Sequence, residues 1–299
     1  MSETVTGIVP PMVTPLRADG SIDPGALEGE VDHLLAHGVH GLCVTGSTGE
    51  GAALSDAEVA HVAGIVVARV AGRVPVLGGV IRNSTRAAVR CALGLRAAGV
   101  DALQVTPVHY LFTPDGDATV EYYRAIGAAT DLPIYVYNVI PWAAIDPAVL
   151  LRLCAEVPAV RGVKQSGGDM HKLADLLAAV DDDHVILSAV DDLLLPSFVL
   201  GAKGAIAAIL TALPGEAVAL WNAVRAGRLD EARRRHARLL PVWRALEGPN
   251  MPARLKVALT MQGRPGGLPA EPQAAVTTAE REHLRHALTG AGLLKVAAV

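Results

Sequence analysis

The feature that most constrains this chain is an alternation, repeated eight times, of a short apolar run with a longer stretch of helical periodicity. The runs fall near residues 7–13, 41–45, 74–80, 102–106, 133–137, 160–164, 184–189 and 204–209. The helical patterns that follow them cover 24–37, 56–70, 85–98, 118–129, 147–155, 170–180, 193–200 and 216–226. Alternation of this kind requires a parallel sheet covered by helices, and eight units close into a (β/α)8 barrel. A doubly wound open sheet is the competing architecture. Helix starts carry their own signals. Asp23-Pro24 and Asp146-Pro147 each set a capping residue before a proline at the first helical position. Ser55 and Glu58 have the spacing of a capping box.

Beyond Leu229 the strand pattern stops, and breaks at 247–250 and 263–267 divide the tail into three expected helices. The chain therefore reads as α/β, with a TIM barrel over 1–228 and a C-terminal helical domain over 229–299. With 51% hydrophobic and 19% charged residues, it has enough apolar side chains for a large core. Only 3% are aromatic, so that core must come from Ala, Val and Leu. A net charge of −4 without a basic cluster argues against nucleic acid as a partner. The run Arg233-Arg234-Arg235-His236 lies in a helical stretch and reads as a solvated face.

Cys43, Cys91 and Cys154 are scattered and odd in number, which suits a reducing compartment better than a disulfide framework. The N-terminus lacks a basic and apolar leader pattern, and charge interrupts every apolar stretch before the roughly 20 residues a membrane span needs. The expectation is a soluble, cytoplasmic protein with no membrane partner.

Barrel enzymes carry their chemistry at the C-terminal ends of the strands. Here those ends hold Gly46-Ser47-Thr48-Gly49-Glu50 after the second strand, Thr106-Pro107 after the fourth and Tyr137-Asn138 after the fifth. Lys164 ends the sixth, and Asp191-Asp192 follow the seventh. An amine behind Val160 and Val163 loses water on one side, and desolvation favours its neutral, nucleophilic form. A neutral amine can add to a ketone and give an imine that serves as an electron sink. The competing reading of Lys164 is an ion pair with Asp169 or Asp191. Tyr137 is either a proton carrier or a core tyrosine bonded to backbone. The Gly46–Gly49 turn offers two hydroxyls and free amides that could hold a carboxylate, but it has neither the P-loop ending nor the GxGxxG spacing. His33 with His37 and His283 with His286 lack an HExxH glutamate and a third ligand, so no metal site is expected.

Four segments in order, GSTGEGAALS (46–55), YNVIP (137–141), GVKQSGGD (162–169) and LGAKGAIAAI (200–209), resemble the dihydrodipicolinate synthase / N-acetylneuraminate lyase family of Schiff-base aldolases. The similarity runs from GIVPPMVTPL at the start to GPNMPARLKVAL in the tail. It implies a (β/α)8 barrel with C-terminal helices, assembled as a homotetramer built as a dimer of dimers. It implies that Lys164 forms the imine with pyruvate or another 2-keto acid, with an aldehyde as the second reactant and no cofactor or metal. Tyr137 would relay protons, Gly46, Ser47 and Thr48 would hold the keto-acid carboxylate, and Ile206 would line the pocket.

The chain also departs from the family pattern. Dihydrodipicolinate synthases carry a threonine pair where Ser47-Thr48 stand, and an arginine after the Tyr-Asn-x-Pro segment. Here the run is Pro141-Trp142-Ala143-Ala144, with one extra residue before the proline and no arginine. They also lend a tyrosine to the neighbouring subunit after the strand-four Thr-Pro; His109 takes that position here, or Tyr110 does after a loop shift. Loss of a cationic clamp disfavours a carboxylate-bearing second substrate. The expected substrate partner is smaller or more apolar than that of the lysine-pathway synthase or the sialic-acid lyase. Authentic dihydrodipicolinate synthesis, a keto-acid dehydratase or deaminase, and a non-catalytic keto-acid-binding homologue are the alternatives.

Overall fold

The computed structural model describes residues 4–294. Among them, one parallel sheet holds β1 (Gly7–Ile8), β2 (Leu42–Val44), β3 (Val76–Val80) and β4 (Ala102–Val105). It continues with β5 (Ile134–Asn138), β6 (Val160–Gln165), β7 (Val185–Ser188) and β8 (Gly204–Ala205). Neighbours pair in sequence order from β2 to β8, and β8 pairs with β1. A parallel bridge between Pro11 and Cys43 joins the first strand's continuation to β2 and closes the barrel.

The helices α1 (Pro24–Ala36), α2 (Asp56–Val70), α3 (Thr85–Ala97) and α4 (Gly116–Thr130) follow the first four strands. After the next three come α5 (Pro147–Glu156), α6 (Met170–Ala179) and α7 (Leu194–Leu200). β8 leads into a short α8 (Ala208–Ala212) and then α9 (Pro214–Arg225). The tail adds α10 (Leu229–Leu246), α11 (Met251–Met261) and α12 (Thr278–Gly290).

Side-chain alternation builds the layers. In β4, Ala102 joins the barrel interior with Val9, Cys43, Leu77, Tyr135, Leu187 and Ile206, whereas Leu103 and Val105 face the helices. In α2, Val59, Val62, Ala63, Val66 and Val70 are buried at helical spacing. Burial of each such valine contributes about 1.5–3 kcal/mol before entropy is counted. A separate cluster welds α7 to α9 onto α10 to α12 through Phe198, Leu220, Leu239, Leu255 and Leu284.

Three expectations need correction. The first strand, expected over 7–13, is only Gly7–Ile8, because Pro10 and Pro11 have no amide hydrogen to give. Pairing resumes where Cys43 donates to the Pro10 carbonyl (3.0 Å) and Met12 donates to that of Cys43 (2.8 Å). The eighth strand, expected over 204–209, stops at Ala205, and its last residues open α8 instead. The carboxylate of Asp191 accepts from the Ile209 amide at 2.7 Å, and this draws the chain out of the sheet. Finally, Asp146 stands at the start of α5 without a side-chain capping bond. Asp23 and Ser55 do cap their helices, the latter in a reciprocal box with Glu58.

Candidate active site

Strands β5 and β6 lie side by side with Tyr137 opposite Lys164. Both side chains are 4% exposed. The side-chain nitrogen of Lys164 stands 3.7 Å from the centroid of the Tyr137 ring. The Tyr137 hydroxyl donates to Ser47 Oγ at 3.1 Å. The Tyr137 side chain thus lies between the Lys164 amine and the turn after β2.

The ion-pair alternative for Lys164 does not hold. Among the described residues Lys164 makes no salt bridge, and both candidate partners are otherwise engaged. Asp169 caps α6, accepting from the amides of His171 (3.0 Å) and Lys172 (3.2 Å). Asp191 holds the start of α8 and is 9% exposed. Burial pushes its carboxyl up to about 7, against the Ile209 amide and the Lys164 charge, which favour ionisation. Asp192, next in sequence, turns outward to Arg244 of α10 at 2.8 Å.

The turn after β2 is held from every side. Thr45 and Glu50 both have left-handed backbones, with φ of 54° and 56°, a conformation that side chains other than glycine's rarely adopt. Glu50 donates its amide to the Ser47 carbonyl (3.1 Å), and Gly51 donates to that of Gly46 (3.0 Å). Thr14 Oγ1 donates to the Gly49 carbonyl at 2.7 Å. A side chain at position 51 would put its Cβ 1.8 Å from the Thr45 carbonyl oxygen, so only glycine fits. Thr48 is buried, and Ser47 is exposed toward the mouth. Gly46 lies against the Gln104 amide nitrogen, which has no hydrogen-bond partner.

The remaining predicted residues divide. Ile206 is fully buried in the barrel interior beside Leu187 and Tyr135. The His109 ring turns back to the Pro107 carbonyl (3.0 Å), and the Tyr110 side chain is 72% exposed. Within the described residues neither bonds to Lys164, Tyr137 or Ser47, so a single chain does not bring them into the site. Asn83 holds their backbone, accepting from both amides at 2.9 Å. Trp142, in the 3-10 turn Pro141–Ala143, donates its indole N–H to the His109 carbonyl at 2.9 Å.

Several residues with a role here carried no assigned role in the sequence. Asn138 binds the backbone of Ile145 in both directions and the Gln165 side chain, which fixes the loop after β5. Its place right after Tyr137 was the available signal. Glu50 and Lys256 form a buried ion pair across 206 positions, which no local pattern announces. His33 and His37 stack at 4.4 Å, and no group of three or more metal-ligating side chains is gathered among the described residues. Of the run expected to be a solvated face, Arg233 is exposed and pairs with Asp230, whereas Arg235 is half-buried against Glu216 of α9 and His236 is also half-buried.

Comparison with known proteins bears on this geometry. The model of the dihydrodipicolinate synthetase family matches residues 4–291. A 4-hydroxy-tetrahydrodipicolinate synthase of Methanopyrus kandleri is 33% identical over 297 residues, covering 98% of this chain and 99% of its own. The enzyme of that name from Symbiobacterium thermophilum is 35% identical, with 95% and 97% covered. Among solved structures, the dihydrodipicolinate synthase of Aquifex aeolicus superposes with a TM-score of 0.92 at 26% identity, over 97% of this chain and all of that one. A prophage protein of the same family from E. coli K12, solved with pyruvate, gives the same TM-score, identity and coverage.

Proposed function

Because the chain belongs to the dihydrodipicolinate synthetase family, a family of aldolase-type lyases, we propose that it cleaves or condenses pyruvate, or a related 2-keto acid, with an aldehyde through an imine on Lys164. The observation that carries this reading is the pairing of Lys164 with Tyr137 at a barrel mouth, linked to Ser47 and with no carboxylate salt bridge among the described residues. The amine adds to the C2 ketone and water leaves. The resulting iminium accepts the electron pair released when the C3–C4 bond breaks, giving an aldehyde and an enamine. Protonation of the enamine at C3 and hydrolysis return the keto acid and the free amine. Tyr137 and Ser47 are placed to carry protons for these steps, and the amides and hydroxyls of residues 46–48 to hold the carboxylate. The imine itself supplies the electron sink, so the scheme needs no metal or organic cofactor.

A second reading, dihydrodipicolinate synthesis itself, is favoured by the names of the sequence relatives. The run Trp142-Ala143-Ala144 supports an aldehyde without a carboxylate instead, since it offers no guanidinium to pair with one. The exposed Tyr110, Leu111, Phe112 and Trp142 favour assembly into the family's tetramer, with His109 or Tyr110 serving a neighbouring site. Cytoplasmic residence fits three free, buried cysteines, and no helix among the described residues is long and apolar enough to cross a membrane.

Borohydride reduction with pyruvate, read by peptide mass spectrometry, tests the reading. The expected result is one reduced pyruvyl adduct on Lys164 and none in Lys164→Ala. Turnover by that variant, or an adduct elsewhere only, overturns it.

A further inference from the structure

Glu50 ends the turn that carries Ser47 and Thr48, and both of its carboxylate oxygens are taken up by the C-terminal segment. One accepts from Lys256 Nζ in α11, and the other from the Ala270 amide at 2.7 Å. Lys256 donates further to the Leu268 carbonyl at 2.7 Å. Lys256 is 1% exposed and Glu50 8%. The segment 268–270 is itself stitched to the chain before α1, where Leu268 donates its amide to the Leu16 carbonyl at 2.8 Å.

A buried charge pair of this kind is a poor source of net stability compared with apolar side chains of equal volume. What it does supply is direction. Left-handed residues stand at both ends of the 46–49 turn, Thr45 and Glu50, and the pair anchors the Glu50 end from outside the barrel.

We propose that Lys256 and Glu50 are positioning residues for keto-acid recognition: the C-terminal helices, acting through this pair, hold the 46–50 turn so that its amides and hydroxyls face the substrate carboxylate. The inference rests on the imine reading given above and deepens it. It assigns the C-terminal helices a part in substrate selection, and it separates carboxylate binding, which depends on the pair, from imine formation, which depends on Lys164 and Tyr137.

That separation is what the experiment reads. Glu50→Gln keeps shape and the Ala270 bond while removing the charge. Imine formation is followed by borohydride trapping, with pyruvate and with acetone, a ketone of similar size that lacks the carboxylate. The half-saturating pyruvate concentration is expected to rise tenfold or more in Glu50→Gln, with the acetone trapping rate within twofold of the native protein and the circular dichroism spectrum unchanged. Equal losses for the two ketones would mean a general loosening of the site and would overturn the proposal, as would no loss for either. Lys256→Arg keeps the buried cation and guards against misfolding of the first variant; it should show the same pyruvate-selective loss, since the guanidinium cannot sit where the ammonium does. A native protein that traps acetone and pyruvate nowhere on Lys164 refutes the imine reading itself, an outcome distinct from a folded variant without selectivity.

Discussion

Asp191 shows how much one buried carboxyl can matter. Its folded value of about 7 lies above the ordinary 3.8, with burial as the largest cause. Between those two values the folded protein keeps a proton that the unfolded chain has already released. Stability therefore falls as pH rises from about 4 to about 7, and the loss, on the order of 4 kcal/mol at most, is complete above that. Asp191→Asn keeps the oxygen that accepts from Ile209 and removes the charge. Its melting temperature relative to the native protein should rise between pH 5 and pH 8. A constant difference would show that Asp191 does not titrate in that range. Lys164 and Tyr137 were legible in the sequence because strand ends in a barrel face one mouth. Asp191 was legible only as a possible partner for Lys164, since its role depends on an amide that arrives 18 residues later.

Elements show the same division. The capping box of Ser55 was readable three residues at a time, and it formed. Asp146 had the same local credentials, yet its carboxylate makes no capping bond. Ser55→Ala should therefore cost about 1 kcal/mol in urea unfolding, and Asp146→Ala no more than a few tenths. Equal costs would mean that the Asp146 side chain caps α5 in solution. The two shortened strands have different origins. Pro10 and Pro11 announce the end of β1 in the sequence itself. The truncation of β8 could not be read there, because Ile209 belongs to an apolar run that suits a strand or a helix equally well.

At the scale of the whole molecule, two buried ion pairs among the described residues tie the tail to the barrel. Lys256 reaches Glu50, and Arg264 reaches Glu30 of α1 while also donating to the Thr211 carbonyl at 2.8 Å. Burial pushes the Glu30 carboxyl up, and the guanidinium beside it opposes that. Glu30 is 3% exposed, and removing Arg264 would leave its carboxyl without that partner. Arg264→Ala should lower unfolding stability by about 3–5 kcal/mol, and replacing both residues together, as in Glu30→Leu with Arg264→Met, should recover much of the loss. A double variant no more stable than the single one would show that the pair contributes specific attraction beyond mutual neutralisation.

The barrel class, its strand count, the three tail helices and the place of Lys164 at a strand end were determined by the sequence alone. Each rests on a short-range pattern: apolar periodicity, a cap before a proline, a lysine at a strand end. Tertiary structure decided what Lys164 pairs with, how the turn after β2 is aimed, and where the tail grips the barrel. Those outcomes depend on contacts between residues as far apart as Glu50 and Lys256, or Glu30 and Arg264, and on which buried charges find a partner. Periodicity reports the face a residue presents, but the free energy of a buried charge depends on the atoms folding brings within reach.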